Sequence, residues 1–273
     1  MSHLGRKVPV CVILDIDNTL LSGCRRFSAS YPFTAVGGVL ASQHSLAYYD
    51  AERGRHVRDC ILTVRPHLGE FLRCVGRELS TTRVAVQVGV FTRNTPSYAK
   101  AIATQVLGPL MPVPLAFAFG STHCCGPEGR KKPLAVTAFP ATSLLVDDSC
   151  ASFLAEEFFS GRGALVLPFF PGVRPWGAEE ELDDVLACGE RCAAHDPALH
   201  EQDEYAAFLG DGEAETAASL CALIAEFVAF WHNNSAAATG ASINLLTDPR
   251  AARYQRRWCD YHAPFGKKLE SIF

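Results

Sequence analysis

Three stretches of the chain put carboxylates, a hydroxyl and lysines where apolar runs end. LDIDNT places Asp15 at the end of the run 8–15, Asp17 two residues on and Thr19 beyond. VGVFTRNT places Thr92 at the end of a second run, with Arg93 and Asn94 after it. SLLVDDS places Asp147 and Asp148 at the end of a third, and GRKKPL, between the second and third, offers Lys131 and Lys132. Carboxylates brought together raise one another's pKa unless a cation intervenes. A set of hard oxygen ligands that must also hold a phosphate suits Mg²⁺, which keeps several waters and takes one or two carboxylates. A lysine can neutralise a further acid and a phosphate oxygen. One carboxylate left free to attack can form an aspartyl-phosphate. A second, two positions later, can protonate the leaving oxygen and then activate water. Each piece alone is ordinary: strand-end acids cap turns, an Asp-Asp pair can cap a helix, and adjacent lysines are usually solvated. Their order at successive strand ends is what gives them weight.

The elements that must position these residues are legible as alternating patterns. VPVCVILD (8–15) is nearly continuously apolar, as a parallel strand buried on both faces would be. Residues 45–64 read as a β-hairpin around a turn containing Glu52, Arg53 and Gly54. HLGEFLRCVGREL (67–79) is apolar at helical spacing, and Arg65 before Pro66 taken alone could simply anchor an exposed loop. A strand is expected over 83–92. A helix follows over 95–108, with Thr95 as N-cap, Pro96 at its first position and Gly108 past its end. Further strands are expected at 115–120, 141–148 and 163–170, with a helix over 152–160. Strands alternating with helices imply a parallel sheet with right-handed crossovers, and sites at the carboxyl ends of its strands.

Composition narrows the class. The chain has 273 residues, 48% hydrophobic and 20% charged, which excludes a disordered chain. A net charge of −4 excludes a globally basic nucleic-acid binder, so no direct nucleic-acid partner is expected. No apolar run reaches membrane-spanning length, and no membrane partner is expected. An odd count of 11 cysteines, without a signal-peptide pattern, points to a reducing intracellular compartment, nucleus or cytoplasm. Cys188, Cys192, His195 and His200 have metal-ligand types but match no standard zinc spacing, and a helix face followed by a loop explains them as well. Beyond residue 175 the composition shifts. Helical patterns follow at 179–193, 213–234 and 248–262, with a small-residue linker at 235–242. Leu220, Leu223, Ile224, Phe227 and Trp231 make one apolar stripe, expected to pack back on the same chain. Arg250, Arg253, Arg256 and Arg257 read as a solvated face.

The ordered set D-x-D-x-T, Thr, Lys, D-D resembles the haloacid dehalogenase (HAD) superfamily. TVRPHLGEFL (63–72), FTRNTPSYAKAI (91–102), KKPL and LLVDDS bring it closer. Over about residues 8–190 the chain resembles the small C-terminal-domain phosphatases of RNA polymerase II and their NLI-interacting-factor-like relatives. The resemblance implies an α/β fold: a HAD-like Rossmannoid parallel sheet with helices on both faces, a small β-hairpin insertion and a C-terminal helical extension. The domains would span 7–195 and 196–273. It implies Asp15 as nucleophile and Mg²⁺ ligand, and Asp17 as general acid/base with its backbone carbonyl on the metal. Thr92 would bind phosphoryl oxygens, with Arg93 and Asn94 at the pocket rim. Lys132, immediately before Pro-Leu, fits the family lysine better than Lys131. Asp148 would ligate the metal, Asp147 would hold the lysine or a metal-bound water, and Thr19 would brace the nucleophile loop. The chain departs from the pattern at Asn18, where Glu is usual, at Arg93-Asn94, where a small pair is usual, and at Cys150, where Pro is usual.

The resemblance implies a protein phosphoserine or phosphothreonine substrate, the RNA polymerase II C-terminal domain among the candidates. Thr19 to Arg65 has room for a hairpin and little more, and Thr92 to Lys132 is about as short, so no cap domain is expected over the site. The same residues also suit a HAD phosphatase for a small molecule or a nucleic-acid end. A non-catalytic protein that grips a phosphorylated partner is the reading from another class.

Overall fold

The structure is a computed structural model that describes residues 7–24, 42–166, 169 and 213–234. Its centre is a five-stranded parallel sheet built from β1 (Val8–Leu14), β5 (Val84–Phe91), β6 (Ala118–Phe119), β7 (Ser143–Asp147) and β8 (Gly163–Leu165). The strand order is β6-β5-β1-β7-β8. The chain leaves β1 towards β5 on one side and later returns to β7 on the other, so the order reverses at β1. Such a reversal opens a crevice at the carboxyl ends of the strands. β1 is apolar on both faces because it is covered on both. Val10, Val12 and Leu14 enter one core, and Cys11 and Ile13 enter the other. Gly89 in β5 lets the Phe117 ring lie against the strand, since a Cβ there would come within 2.3 Å of it.

The expected insertion is larger than a hairpin. β3 (Gln43–Asp50) and β4 (Arg55–Val64) form that hairpin, but β2 (Leu21–Cys24) pairs with the other edge of β4, giving a three-stranded antiparallel sheet in the order β2-β4-β3. The expected helix over 67–79 is α1 (Leu68–Arg73) continued by a wide π-type turn, Cys74–Glu78. α2 (Pro96–Ile102) starts as its sequence predicts, with Thr95 Oγ1 accepting from Tyr98 N at 3.3 Å. It then widens over Ala103–Leu107 and tightens over Gly108–Leu110. Two edge strands are shorter than their apolar runs suggest, because an edge strand is paired on one side only. β6 keeps two residues of 115–120, and β8 ends at Leu165, with Val166 outside it. The helix expected over 152–160 is one turn, α3 (Ala155–Glu157), followed by a wide turn closed by Gly161 at φ 79°. The second sheet face is therefore covered by single turns carrying Leu134, Phe153 and Phe158, rather than by long helices among the described residues.

The long helix is α4 (Glu213–Asn233), and it covers the first face. Leu220, Leu223, Ile224, Phe227 and Trp231 are all buried in the same core as β1, β5 and α1, so the apolar stripe packs on its own chain. Burying each large side chain contributes about 1.5–3 kcal/mol. The far end of α4 is tied down by a hydrogen bond between His232 Nδ1 and Thr81 Oγ1, 2.9 Å apart. The helices expected at 179–193 and 248–262, the linker at 235–242 and the Cys188, Cys192, His195, His200 group lie outside the described residues. Among the described residues no helix is long and apolar enough to cross a membrane.

Candidate active site

Parallel register brings the sequence-separated acids to one level. Leu14 lies opposite both Val90 and Val146, so Asp15, Thr92 and Asp147 all emerge at the same end of the sheet. Asp15 N donates to Val146 O at 2.9 Å, extending that pairing into the site. The chain then turns sharply. Asn18 sits at φ 61° and its N–H donates to Leu21 O at 2.7 Å. Asparagine is among the few non-glycine residues that enter this left-handed region readily, which accounts for Asn18 at this position.

One carboxylate oxygen from each of Asp15, Asp147 and Asp148 lies within 4.8 Å of the others. Lys132 is buried between two of them: its Nζ donates to Asp15 Oδ1 and, at 2.7 Å, to Asp147 Oδ2. The backbone around it is fixed by α3 and the turn before it. Lys132 N donates to Ser152 O at 2.7 Å, and Leu134 N donates to Glu157 Oε1 at 2.9 Å. Thr19, itself buried, couples the first loop to the third. Its Oγ1 donates to Asp148 Oδ1 at 3.2 Å and accepts from Asp148 N at 3.1 Å. Asp147 Oδ1 accepts from Ser149 N at 2.8 Å.

Asp17 points elsewhere. Its Oδ2 accepts from Thr92 Oγ1 at 2.7 Å and from Asn94 Nδ2 at 3.0 Å, and its Oδ1 accepts from Tyr98 OH at 2.7 Å. The carboxylate trio thus excludes the Asp17 side chain, whose expected metal contact is through the backbone. Thr92, expected to meet phosphoryl oxygens, directs its hydroxyl proton to Asp17 in this structure.

The electrostatics follow from burial and crowding. Burial pushes the Asp15 carboxyl well above the usual carboxylate range; Asp147 and Asp17 add to this and Lys132 opposes it. Burial alone would lower Lys132, but the carboxylates of Asp147 and Asp15 outweigh it and hold the ammonium above its ordinary value. Burial, then the nearby Asp17 charge, keeps the Tyr98 phenol protonated far above its usual range. Lys132 is the ammonium that pairs with Asp15 and Asp147 in this group of acids. An all-carboxylate oxygen set of this kind fits a hard divalent cation.

Sequence reasoning missed two residues here. Arg65 is buried rather than an exposed anchor: its Nη1 donates to Thr19 O at 3.0 Å and its guanidinium lies 5.8 Å from the Phe169 ring centroid. Tyr98 has no role assigned from sequence; its place six residues after Thr92, in the first turn of α2, is the signal that could have found it. Cys150, where proline was expected, is buried in the second core.

The profile of the NLI interacting factor-like phosphatases matches residues 10–172. A comparison with curated proteins gave no match. Solved structures share the fold. A fission yeast RNA polymerase II CTD phosphatase, an Fcp1 variant bound to beryllium fluoride, is 13% identical with a TM-score of 0.50, covering 90% of this chain and 70% of that one. Fcp1, described as an essential RNA polymerase II CTD phosphatase, is 16% identical with a TM-score of 0.51 at the same coverage. With the profile spanning more than half of the chain and the aspartate trio at its strand ends, the protein belongs to the NLI interacting factor-like phosphatase family, as a hydrolase of the HAD superfamily.

Proposed function

We propose that this chain is a Mg²⁺-dependent phosphomonoester hydrolase acting through an aspartyl-phosphate on Asp15, with protein phosphoserine or phosphothreonine as substrate. The observation that carries the reading is the meeting of Asp15, Lys132, Asp147 and Asp148 at the switch point of the sheet, with Asp17 alongside. In the first half-reaction Asp15 attacks phosphorus, the bond from phosphorus to the ester oxygen breaks, and Asp17 gives its proton to that oxygen. In the second half, a water gives a proton to Asp17 and its oxygen attacks phosphorus. The bond from phosphorus to Asp15 breaks, inorganic phosphate leaves and the free carboxylate returns. Lys132 holds the nucleophile in place and offsets its charge; Thr19 and Arg65 hold the loop that carries it. Asp15 and Asp148 would hold Mg²⁺ with Asp147 beside them, and the ion supplies compensation for the charge on the phosphoryl oxygens.

Two observations support a protein substrate. The interval from Thr19 to Arg65 is short and its described residues form a three-stranded sheet, which suits a site reached by a peptide. The solved relatives are described as phosphatases of the RNA polymerase II CTD. Turnover of p-nitrophenyl phosphate with Mg²⁺, its loss in EDTA, and a panel of phosphopeptides test the reading. Asp15→Asn is expected to lower kcat by at least ~10³, as residues acting as a unit fail together. Activity near that of the native protein would refute the covalent route.

A further inference from the structure

Asp17 is held from both sides by donors that are themselves anchored. Thr92 N donates to Phe119 O at 3.0 Å, Asn94 N donates to Thr92 Oγ1 at 3.0 Å, and Asn94 O accepts from Ser121 N at 2.7 Å. Gly120 allows this approach, since a Cβ there would stand 2.5 Å from Pro96 N. Tyr98 is buried in the first turn of α2, with its ring 6.1 Å from that of Tyr48. Donors on both oxygens leave the Asp17 side chain little torsional freedom.

We infer that Asn94 and Tyr98 are positioning residues that aim Asp17 at the ester oxygen, and that they set how well the enzyme expels poor leaving groups such as seryl and threonyl alkoxides. The inference rests on the reading of Asp17 as proton donor. It moves Asn94 from the phosphate-contact role expected from sequence to a role exercised through Asp17. The physical reason is the requirement for the proton. An alkoxide leaves only if it is protonated as the bond to phosphorus breaks, whereas p-nitrophenolate leaves readily without help. A general acid contributes about 10²–10⁴ where it is needed, and a misplacement of about 1 Å can cost ~10². Loosening Asp17 therefore penalises substrates unequally, in the order of their leaving-group basicity.

The test is kcat/KM, which reports the step that expels the leaving group, across a series of aryl and alkyl phosphates. Native enzyme is compared with Asn94→Ala, Asn94→Leu and Tyr98→Phe. Asn94→Leu keeps roughly the size but removes the donor without adding a charge beside Asp17; Tyr98→Phe keeps the ring packing should the Asn94 variants fail to fold. The expected result is a steeper fall of log kcat/KM with leaving-group pKa in each variant. Alkyl phosphates should lose about tenfold or more beyond the loss on p-nitrophenyl phosphate. A uniform fall across the series, as a lost phosphate contact or a loosened fold would produce, overturns the inference, and so does an unchanged slope. A native enzyme inactive on every member overturns the phosphatase reading itself, which separates the two failures.

Discussion

Lys132→Met removes the ammonium buried between Asp15 and Asp147. Lys132 is 1% exposed, and the two side chains it pairs with are 6% (Asp15) and 1% (Asp147) exposed. Met keeps most of the volume of the stem, so lost packing is a small part of the effect. Removing one partner of a buried ion pair typically costs 3–5 kcal/mol, because the other charge stays behind without compensation. Here two carboxylates are left behind, so we expect a loss of about 3–5 kcal/mol at pH 7 without metal. With a urea m-value of about 2 kcal/mol/M, that lowers the unfolding midpoint by roughly 1.5–2.5 M. The pH dependence has a definite sign. The Asp15 carboxyl is already pushed up by burial, and losing the ammonium pushes it further. A folded-state pKa raised above the unfolded one destabilises at high pH, and the penalty fades as pH falls through the folded value. The deficit of the variant relative to the native protein must therefore shrink on acidification, and Mg²⁺ must recover part of it at pH 7. Urea unfolding followed by circular dichroism, at pH 7 and pH 5, with EDTA or Mg²⁺, measures all three. A deficit below about 1 kcal/mol at pH 7, or one that grows on acidification, would refute the reasoning.

Phe227→Ala should destabilise the protein by about 3–5 kcal/mol in urea unfolding, since the ring is fully buried between α4 and the sheet, while Ala218→Ser on the exposed side should stay within about 0.5 kcal/mol. Equal effects would mean that α4 is not part of the folded body. Glu157→Gln keeps an acceptor for Leu134 N but removes a carboxyl that burial pushes up. That burial penalises the charged form above the folded pKa, so thermal melts should show the variant gaining on the native protein between pH 4 and pH 7. Burial pushes the Cys11 thiol up to about 12, so it should resist iodoacetamide at pH 8 in the native protein while exposed Cys125 reacts, as peptide mapping would show.

How far the sequence went differs from residue to residue, and the boundary has a physical basis. Strand ends were legible because a run buried on both faces must be continuously apolar and stops where polar atoms can be tolerated. Hence Asp15, Thr92 and Asp147 could be placed at one end of a sheet from composition and order alone. The start of α2 was legible too, because Thr95 and Pro96 act through bonds within a few residues. Three matters depended on chain separated by tens of residues or more. KKPL could not say by itself which lysine turns inward; Ser152 and Glu157, packed against that segment, settle Lys132 between the carboxylates. In sequence Arg65 could simply anchor a loop, and Tyr98 carried no role of its own. Their roles arise from contacts 46 and 81 residues away, to Thr19 and Asp17. β2, only four residues and containing Gly23, has too little local preference to declare itself and forms because β4 offers it an edge. The apolar stripe of α4 showed that one face had to be buried. Tertiary structure chose the surface, β1 and β5 with α1, because hydrophobic burial is non-directional and a periodic pattern names a face without naming its partner.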